Sequence, residues 1–366
     1  MTETIEIRKL PPVWFIRTLN FVRSGMLRLY RMSFPANIVM YEQFTSFWIL
    51  SAIRVAAELN IAGILEKGPM SIQQLATSTG SDPNALFRMM RALSSEKIFK
   101  KTKDDQYINT RLSKVLTERK GSLRYTLMQH LGTLNWTVIN DLSYSIKTGQ
   151  SAFSKVYGMK IYDYLSQNPD ESLLFDRSMT NLSEIAIEPI LSAFNFSNYP
   201  VIADIGGGEG LLLSSILYKN INSSGILYDL PEGLINAESM LKKYGVNDRV
   251  QVIHGSFFDS IPSGADIYLL KNIIHNWNTE DSTKILKNIR KVMPPHGRIL
   301  IFEMILDERN RSSFGKLIDL QMMIFMEEGK ERTRDEFESL LRLAGLKIKR
   351  IIPTIAPINI IEAVIA

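Results

Sequence analysis

Cysteine is absent from the 366 residues of this chain. Without a thiol the chain can form no disulfide framework, no cysteine nucleophile and no thiolate metal site. The absence agrees with a reducing compartment, and we expect a cytoplasmic protein. The opening residues MTETIEIRKL lack a basic segment followed by an apolar one, so the sequence predicts no secretory signal.

A strong charge of either sign is also lacking. Lysine and arginine together number 43 against 38 acidic residues, which leaves a net charge of +5. This excess is too small and too scattered to indicate nucleic-acid binding, and we expect no nucleic-acid partner. Long uncharged apolar runs are missing as well. The most apolar stretch, residues 44–59, contains Arg54 and Glu58. It therefore predicts a buried helix, and we expect no membrane partner.

The hydrophobic content of 45% is that of a globular protein, and the length suggests two domains. Residues 10–33 mix apolar and aromatic residues with arginines, which predicts an amphipathic helix. A basic amphipathic helix can lie on a membrane surface or pack against a partner subunit. We favour the partner subunit.

Residues 71–110 predict a compact helix-turn-helix followed by a wing. Ser71 is placed to cap one helix, and Asp82 precedes Pro83 at the start of a second. Arg88 and Arg91 would lie on a recognition helix if this module bound DNA. Because a recognition helix should be more strongly basic, a winged-helix-like dimerisation module is the preferred interpretation.

Residues 112–196 are predicted to be helical and rich in loops. Several apolar side chains here, and one amide, are candidates for the lining of a substrate pocket, although each would serve equally well as plain core. These candidates are Met128, Trp136, Phe153, Phe175, Met179 and Asn181.

After Pro200 the pattern changes to alternating strands and helices, which is typical of an α/β fold with a parallel sheet. We therefore place the domain boundary between residues 196 and 197. The predicted strands are 201–205, 225–229, 250–254, 266–271, 298–303, 346–352 and 358–365. A short link between Pro353 and Pro357 joins the last two, which predicts an antiparallel hairpin at one side of the sheet.

The segment VIADIGGGEG at 201–210 combines a strand with a glycine turn. It does not follow the dinucleotide pattern G-x-G-x-x-G, because Leu211 occupies the third glycine position. Its spacing is acid-x-G-x-G-x-G, through Asp204, Gly206, Gly208 and Gly210, which resembles the first motif of S-adenosylmethionine-dependent methyltransferases. Asp229 ends the next strand, where a carboxylate can accept hydrogen bonds from ribose hydroxyls.

His275 follows the predicted strand that ends at Lys271. Ligands of open α/β sheets bind at the carboxyl ends of the strands, so this histidine is placed to meet a substrate. A phenol is mostly protonated at neutral pH and needs a base before it can accept a methyl group, and histidine titrates in the useful range. Glu303 and Glu331 are candidates to orient the imidazole. No cluster of carboxylates beside the base is evident, so we predict no metal site.

The chain resembles the class I S-adenosylmethionine-dependent O-methyltransferases of the plant and bacterial small-molecule type. The matching segments are LFRMMRAL at 86–93, DIGGGEG at 204–210, Asp229-Leu230-Pro231, Lys271, His275-x-Trp277, Glu303 and GKERT at 329–333.

The resemblance implies a Rossmann-like seven-stranded catalytic domain after a helical dimerisation domain, a homodimer, and His275 as general base beside Glu303 and Glu331. Cofactor contacts are expected from Asp204, Gly206, Gly208, Asp229, Leu230, Ser256, Phe257 and Lys271.

The chain departs from the family pattern at two positions. Ser256 stands where an acid usually contacts adenine, which weakens or reassigns that contact. Asn276 stands in place of the usual aspartate beside the histidine, which removes a charge near the base. Neither change removes the proposed base.

The sequence therefore predicts methylation of a hydroxyl, chiefly a phenolic one, on a small aromatic secondary metabolite. An alternative keeps the fold and the bound cofactor but diverts the reaction to decarboxylation, hydroxylation or cyclisation. A third alternative, from another class, is a winged-helix DNA-binding regulator.

Overall fold

The structure is a computed structural model that describes residues 10–309 and 313–366. Sixteen α-helices lie within the described residues. In chain order they are α1 Val13–Ser33, α2 Ala36–Glu58, α3 Ile61–Ile64, α4 Ile72–Thr79, α5 Pro83–Ser95, α6 Arg124–His130, α7 Thr133–Asn140, α8 Leu142–Thr148, α9 Ala152–Tyr157, α10 Ile161–Gln167, α11 Pro169–Ala193, α12 Leu211–Lys219, α13 Ala237–Tyr244, α14 Thr279–Val292, α15 Phe314–Phe325 and α16 Arg334–Leu343.

The strands form one seven-stranded sheet and two small two-stranded sheets. They are β1 Phe99–Lys101, β2 Tyr107–Asn109, β3 Val201–Ile205, β4 Ser224–Asp229, β5 Val250–His254, β6 Ile267–Lys271, β7 Arg298–Glu303, β8 Ile305–Leu306, β9 Arg332–Thr333, β10 Leu346–Pro353 and β11 Asn359–Ile365. All seven predicted strands of the catalytic domain are confirmed.

The chain divides into two compact units that are each discontinuous in sequence. The first contains the described residues up to Asn20, Ser143–Lys160 and Ile185–Ala366, and the second contains Phe21–Leu142 and Ile161–Glu184. The single domain boundary at 196/197 stays a prediction.

In the first unit the large sheet has the order β10-β11-β7-β6-β3-β4-β5. Strands β7, β6, β3, β4 and β5 are mutually parallel, and β11 pairs antiparallel with β7 and with β10. The predicted terminal hairpin is thus confirmed. Helices α14 and α16 cover one face of the sheet, and α12, α13 and the end of α11 cover the other. Because both faces are buried, the central strands are continuous apolar runs.

The second unit contains the predicted helix-turn-helix and wing. Ser71 and Gln74 form a capping box at the start of α4, and Asp82 caps α5 by accepting a hydrogen bond from the Ala85 amide. Strands β1 and β2 then pair as an antiparallel hairpin. One apolar cluster joins α2, α4, α5 and the hairpin. The module is therefore a winged helix in its architecture.

The two N-terminal helices differ from the rest of the chain. Helix α1 contains no buried residue, and α2 buries only Ala56 and Ala57 near its end. The prediction that residues 44–59 form a buried helix is correct only for the last turn, since Phe44 is 63% exposed and Trp48 is 64% exposed. Their apolar side chains find too few partners within one chain to be covered.

Among the described helices, none alone has the length and apolar character of a membrane span; the bent pair Ala36–Glu58 and Ile61–Lys67 meets those two criteria together.

Candidate active site

The glycine turn lies at the carboxyl end of β3, in the middle of the sheet. Gly206, Gly208 and Gly210 all have positive φ angles, between 56° and 79°. A Cβ at Gly206 would approach Ile273 Cδ1 to 2.5 Å, whereas a Cβ at Gly208 would meet no atom within 4 Å. The turn is thus packed tightly on one side and open at Gly208. This is a cradle in which a ligand can approach bare backbone.

Asp229 at the end of β4 closes this turn. Its carboxylate accepts hydrogen bonds from the amides of Gly208 and Leu230, both at 2.7 Å. Burial raises the pKa of Asp229, and the two amides oppose that rise. A carboxylate has about four lone-pair sites, so two remain for ribose hydroxyls. The predicted ribose contact is compatible with this geometry.

Asp204 lies beneath the turn, and its carboxyl carbon would be 2.8 Å from a Cβ at Gly207. It is 2% exposed, and its Oδ2 has no hydrogen-bond partner among the described residues. Burial raises the pKa of Asp204 to about 7, while Lys271 pulls it down. Burial lowers the pKa of Lys271, and Asp204 and Glu303 oppose that change. Lys271 therefore interacts electrostatically both with Asp204, below the glycine turn, and with Glu303.

The adenine side of the predicted cofactor site follows β5. Ser256 uses its hydroxyl to accept a hydrogen bond from the Phe258 amide at 3.2 Å, so this serine caps a local turn. Phe257 packs edge-on against Phe258, and its ring lies 3.6 Å from the position of a Cβ at Gly206. Leu230 remains 50% exposed. Leu230, which follows Asp229 in the chain, and Phe257, which lies near the glycine turn, thus both offer apolar surface.

The predicted catalytic residues come together. Glu331 Oε1 lies 2.8 Å from His275 Nδ1, and Glu303 Oε2 lies 3.5 Å from the same nitrogen. Glu303 also accepts a hydrogen bond from the His275 amide at 3.3 Å. Both carboxylates are almost fully buried, at 1% and 2% exposed. Since Nδ1 is engaged, Nε2 is the ring nitrogen left for a substrate.

Opposing influences act on the pKa values of His275 and Glu303. Burial by itself lowers the pKa of His275, but Glu303 and Glu331 outweigh burial and the pKa is raised above its usual 6.5. Burial raises the pKa of Glu303, and His275 and Arg332 counteract it. The protonated form of the imidazole is consequently stabilised.

The three side chains also present ligand atoms within 4.8 Å of one another, a spacing that a metal ion could use. From the sequence we predicted that Glu303 and Glu331 orient the imidazole but predicted no metal-binding cluster beside it. Glu331 Oε1 is bonded to His275 Nδ1, whereas Glu331 Oε2 and Glu303 Oε2 have no hydrogen-bond partner among the described residues. The absence of a metal stays a prediction.

Asn276 has a local structural task. Its side-chain amide donates a hydrogen bond to the Asn272 carbonyl at 3.1 Å. Asn272 has a φ of 54°, a strained value for a residue with a side chain. An aspartate could not donate this bond when ionised, so the departure at this position stabilises the turn that leads to His275.

The predicted substrate-pocket residues lie mainly in the second unit. Asn181 is buried and accepts a hydrogen bond from the Tyr125 amide at 3.2 Å, and the Trp136 ring packs against Phe47. Met128 is partly buried against the apolar cluster of that unit. Phe153 belongs to the first unit and is fully buried beside Phe325, which makes it core. Met179 and Phe175 lie on α11.

Sequence reasoning missed two residues that hold the catalytic group. Asp319 on α15 accepts a hydrogen bond from the Glu331 amide at 2.9 Å. Arg332 is fully buried and donates to backbone carbonyls beside His275. Arg332 lies within the GKERT segment at 329–333, and that segment is the signal that could have identified it. No local pattern marks Asp319.

Two family models match the chain: an O-methyltransferase dimerisation domain over residues 41–119 and an O-methyltransferase domain over residues 139–347. Phenazine O-methyltransferase PhzM of Lysobacter antibioticus is 32% identical over 332 residues, which is 90% of this chain and 96% of that protein. The crystal structure of LaPhzM matches with a TM-score of 0.85 at 32% identity, covering 91% of this chain and 100% of the other.

Two further relatives bear on the chemistry. An O-methyltransferase from neocarzinostatin biosynthesis, solved with S-adenosylmethionine and 2-hydroxy-5-methyl naphthoic acid, matches with a TM-score of 0.72 at 28% identity, over 87% of this chain and 96% of that one. The 8-amino-8-demethylriboflavin N,N-dimethyltransferase of Streptomyces davaonensis is 30% identical over 323 residues, which is 86% of this chain and 91% of that protein.

The chain belongs to the O-methyltransferase family and is an S-adenosylmethionine-dependent O-methyltransferase. Its fold, a helical dimerisation domain followed by a Rossmann-like seven-stranded domain, is the one predicted from the sequence.

Proposed function

We propose that this enzyme methylates a hydroxyl, chiefly a phenolic one, of a small aromatic secondary metabolite, with His275 as the general base. The observation that carries the proposal is the 2.8 Å contact between His275 Nδ1 and a buried Glu331. A carboxylate this close to Nδ1 favours the tautomer with its proton on Nδ1, and that tautomer has a lone pair on Nε2 for the substrate hydroxyl.

The reaction follows from this arrangement. A phenol with a pKa of ~10 is a poor nucleophile while protonated. His275 Nε2 would take the hydroxyl proton while the oxygen accepts the methyl group that bound S-adenosylmethionine would supply, with S-adenosylhomocysteine as the other product. Glu303 and Glu331 stabilise the imidazolium until it releases its proton to water. Alignment of the two reactants supplies much of the acceleration, up to ~7–11 kcal/mol in favourable cases.

The cofactor supplies an electrophilic methyl group on sulfur. We assign its amino-acid end to the turn at Gly206 and Gly208, above Asp204 and close to Lys271. Asp229 would accept the ribose hydroxyls, and Leu230 and Phe257 would cover the adenine faces. Ser256, whose hydroxyl oxygen accepts the Phe258 amide, keeps its own proton to donate to the adenine.

The substrate's aromatic body needs an apolar lining. Met128, Trp136 and Met179 are our candidates for that lining, with Asn181 as the candidate polar contact. Two neighbouring residues support this. Gln129 is buried, and its Oε1 has no hydrogen-bond partner among the described residues; the same holds for the Ser178 hydroxyl. Unsatisfied polar atoms of this kind are suited to a polar ligand.

We also propose that the enzyme is a homodimer. The dimerisation-domain match begins at residue 41, within α2, whose apolar side chains are largely exposed in one chain. Exposed patches of large aromatic residues on a folded chain are typical of protein interfaces.

The decisive test is incubation with methyl-labelled S-adenosylmethionine and a panel of phenols, each paired with the matching aromatic amine. We expect label on a phenolic oxygen and none on the amine. Label on nitrogen would redirect the proposal toward N-methylation, the reaction named for the riboflavin-derivative relative. Cofactor binding without label transfer to any acceptor would contradict methyl transfer altogether.

A further inference from the structure

Arg332 is an unusual arginine because it is 2% exposed and its hydrogen bonds go to the backbone. Nη1 donates to the Ile274 carbonyl at 2.8 Å, and Nη2 donates to the Trp277 carbonyl at 2.7 Å. Nη2 also lies 3.3 Å from the Ser282 hydroxyl. A guanidinium is always charged, so burying it is costly unless its donors are well satisfied.

The carbonyls that Arg332 binds flank His275. The imidazole is carried by a single 3-10 turn, Ile274–Asn276, too short to hold itself rigidly. The same segment that supplies Arg332 fastens this turn at two more points. The Lys330 amide donates to the His275 carbonyl at 2.9 Å, and Glu331 holds Nδ1.

We infer that Arg332 is a positioning residue for His275, and that its forked bonds to the Ile274 and Trp277 carbonyls hold the imidazole where it can reach the substrate hydroxyl. This inference rests on the proposed role of His275 as general base. Arg332 itself does not contact the reacting atoms.

A second contribution is electrostatic. Burial raises the pKa of Glu303, and the charge of Arg332 is among the influences that lower it. An ionised Glu303 in turn keeps the pKa of His275 raised. Loss of the Arg332 charge therefore favours a protonated Glu303 and lowers the pKa of His275.

Lysine cannot replace this fork. An ammonium is a compact point charge, and it would preserve the positive charge while reaching one carbonyl at best. Arg332→Lys thus separates charge from geometry, and Arg332→Met removes both. Arg249 offers a matched control, because it likewise donates to backbone carbonyls, those of Leu217, Asn220 and Ser223, just before the amino end of β5.

The test compares Arg332→Lys, Arg332→Met and Arg249→Met in the full-length enzyme. Calorimetry gives the affinity for S-adenosylmethionine, and the pH dependence of kcat gives the apparent pKa of the base. The chain has four histidines, so nitrogen-detected NMR of labelled imidazoles can follow His275 directly, with His275→Ala assigning its signals.

We expect Arg332→Met to lower kcat by ~100-fold, the size of effect that a small misplacement of a reacting group produces. Cofactor affinity should stay unchanged. The acid limb of the pH profile and the NMR titration of His275 should both move to lower pH, while Arg332→Lys lowers kcat less and leaves the titration in place.

Arg249→Met should leave kcat and the titration unchanged. If Arg332→Met does not fold, Arg332→Lys alone must show reduced kcat at unchanged cofactor affinity.

An unaltered His275 titration and kcat in folded Arg332→Met would overturn the inference, as would a parallel loss of cofactor affinity. The proposed function fails separately: in that case His275→Ala retains activity, whatever the Arg332 variants do.

Discussion

The carboxyl edge of the large sheet and the two N-terminal helices make opposite use of their side chains. At the sheet edge, the carboxylates of Glu303 and Glu331 are buried, and they contact the partly buried His275 within one compact unit. On α1, by contrast, Trp14, Phe21 and Met26 are each at least two-thirds exposed. The proposed catalytic group is thus assembled within a single chain, whereas that chain leaves much of the apolar surface of α1 and α2 uncovered.

The largest effect is expected from a change at His275, at the edge of the large sheet. Replacing His275 by alanine should lower kcat by ~10³-fold, within the range of general-base catalysis, because the phenol then has no proton acceptor. Cofactor affinity by calorimetry and the oligomeric state should not change. His254→Ala, on the exposed side of β5, is the control. Equal losses of kcat and cofactor affinity would mean that His275 is structural.

The next largest effect is expected on the exposed apolar face of α2. Replacing both Phe44 and Trp48 by glutamate should weaken dimerisation by ~30-fold or more, since aromatic anchors at interfaces contribute about 2 kcal/mol or more. Analytical ultracentrifugation measures the change. Lys243→Glu, an exposed charge reversal on α13, is the control. An unaltered dimer would show that this face of α2 lies outside the interface.

Glu331→Gln tests how the base is tuned. The pKa of His275 is raised, so activity should rise with pH as the imidazolium loses its proton through that raised pKa. Removing the Glu331 charge lowers this pKa, and the acid limb of the kcat profile should move to lower pH while the maximal kcat falls ~10-fold or more. Glu338→Gln, exposed on α16, should leave the profile in place. A limb that moves to higher pH would contradict the assignment.

Gly206→Ala tests the cradle. A Cβ here would lie 2.5 Å from Ile273 Cδ1 on a backbone with a φ of 69°, and the left-handed conformation alone costs ~1–2 kcal/mol. We expect the affinity for S-adenosylmethionine to fall ~10-fold, as measured by calorimetry. Gly264→Ala has the same kind of strain at φ 94° with open space around its Cβ, and it should bind the cofactor normally. Comparable losses in both variants would point to general destabilisation.

We expect removal of metal ions to have no effect on the rate of methyl transfer. Treatment with EDTA, followed by dialysis, should leave the rate of methyl transfer unchanged, because Glu331 already occupies His275 Nδ1. Loss of activity that Mg²⁺ restores would assign a metal to the His275, Glu303 and Glu331 cluster.

The sequence by itself determined the seven strands, the glycine turn and the position of Glu303 near His275, whereas Glu331 was a candidate through its place in the GKERT segment. These follow from local patterns: buried parallel strands are continuous apolar runs, and residues at their carboxyl ends meet on one edge of the sheet. Glu303 and Lys271 end neighbouring strands, so their proximity required only the correct strand order.

Only the tertiary structure decided what supports that site and what leaves α2 uncovered. The bonds from Arg332 span 58 and 55 residues, and nothing in the local sequence states which carbonyls a buried guanidinium will reach. The exposure of Phe44 and Trp48 was missed for a related reason. Apolar periodicity shows that a face will be buried, but whether one chain or two supply the covering surface depends on how the folded elements pack.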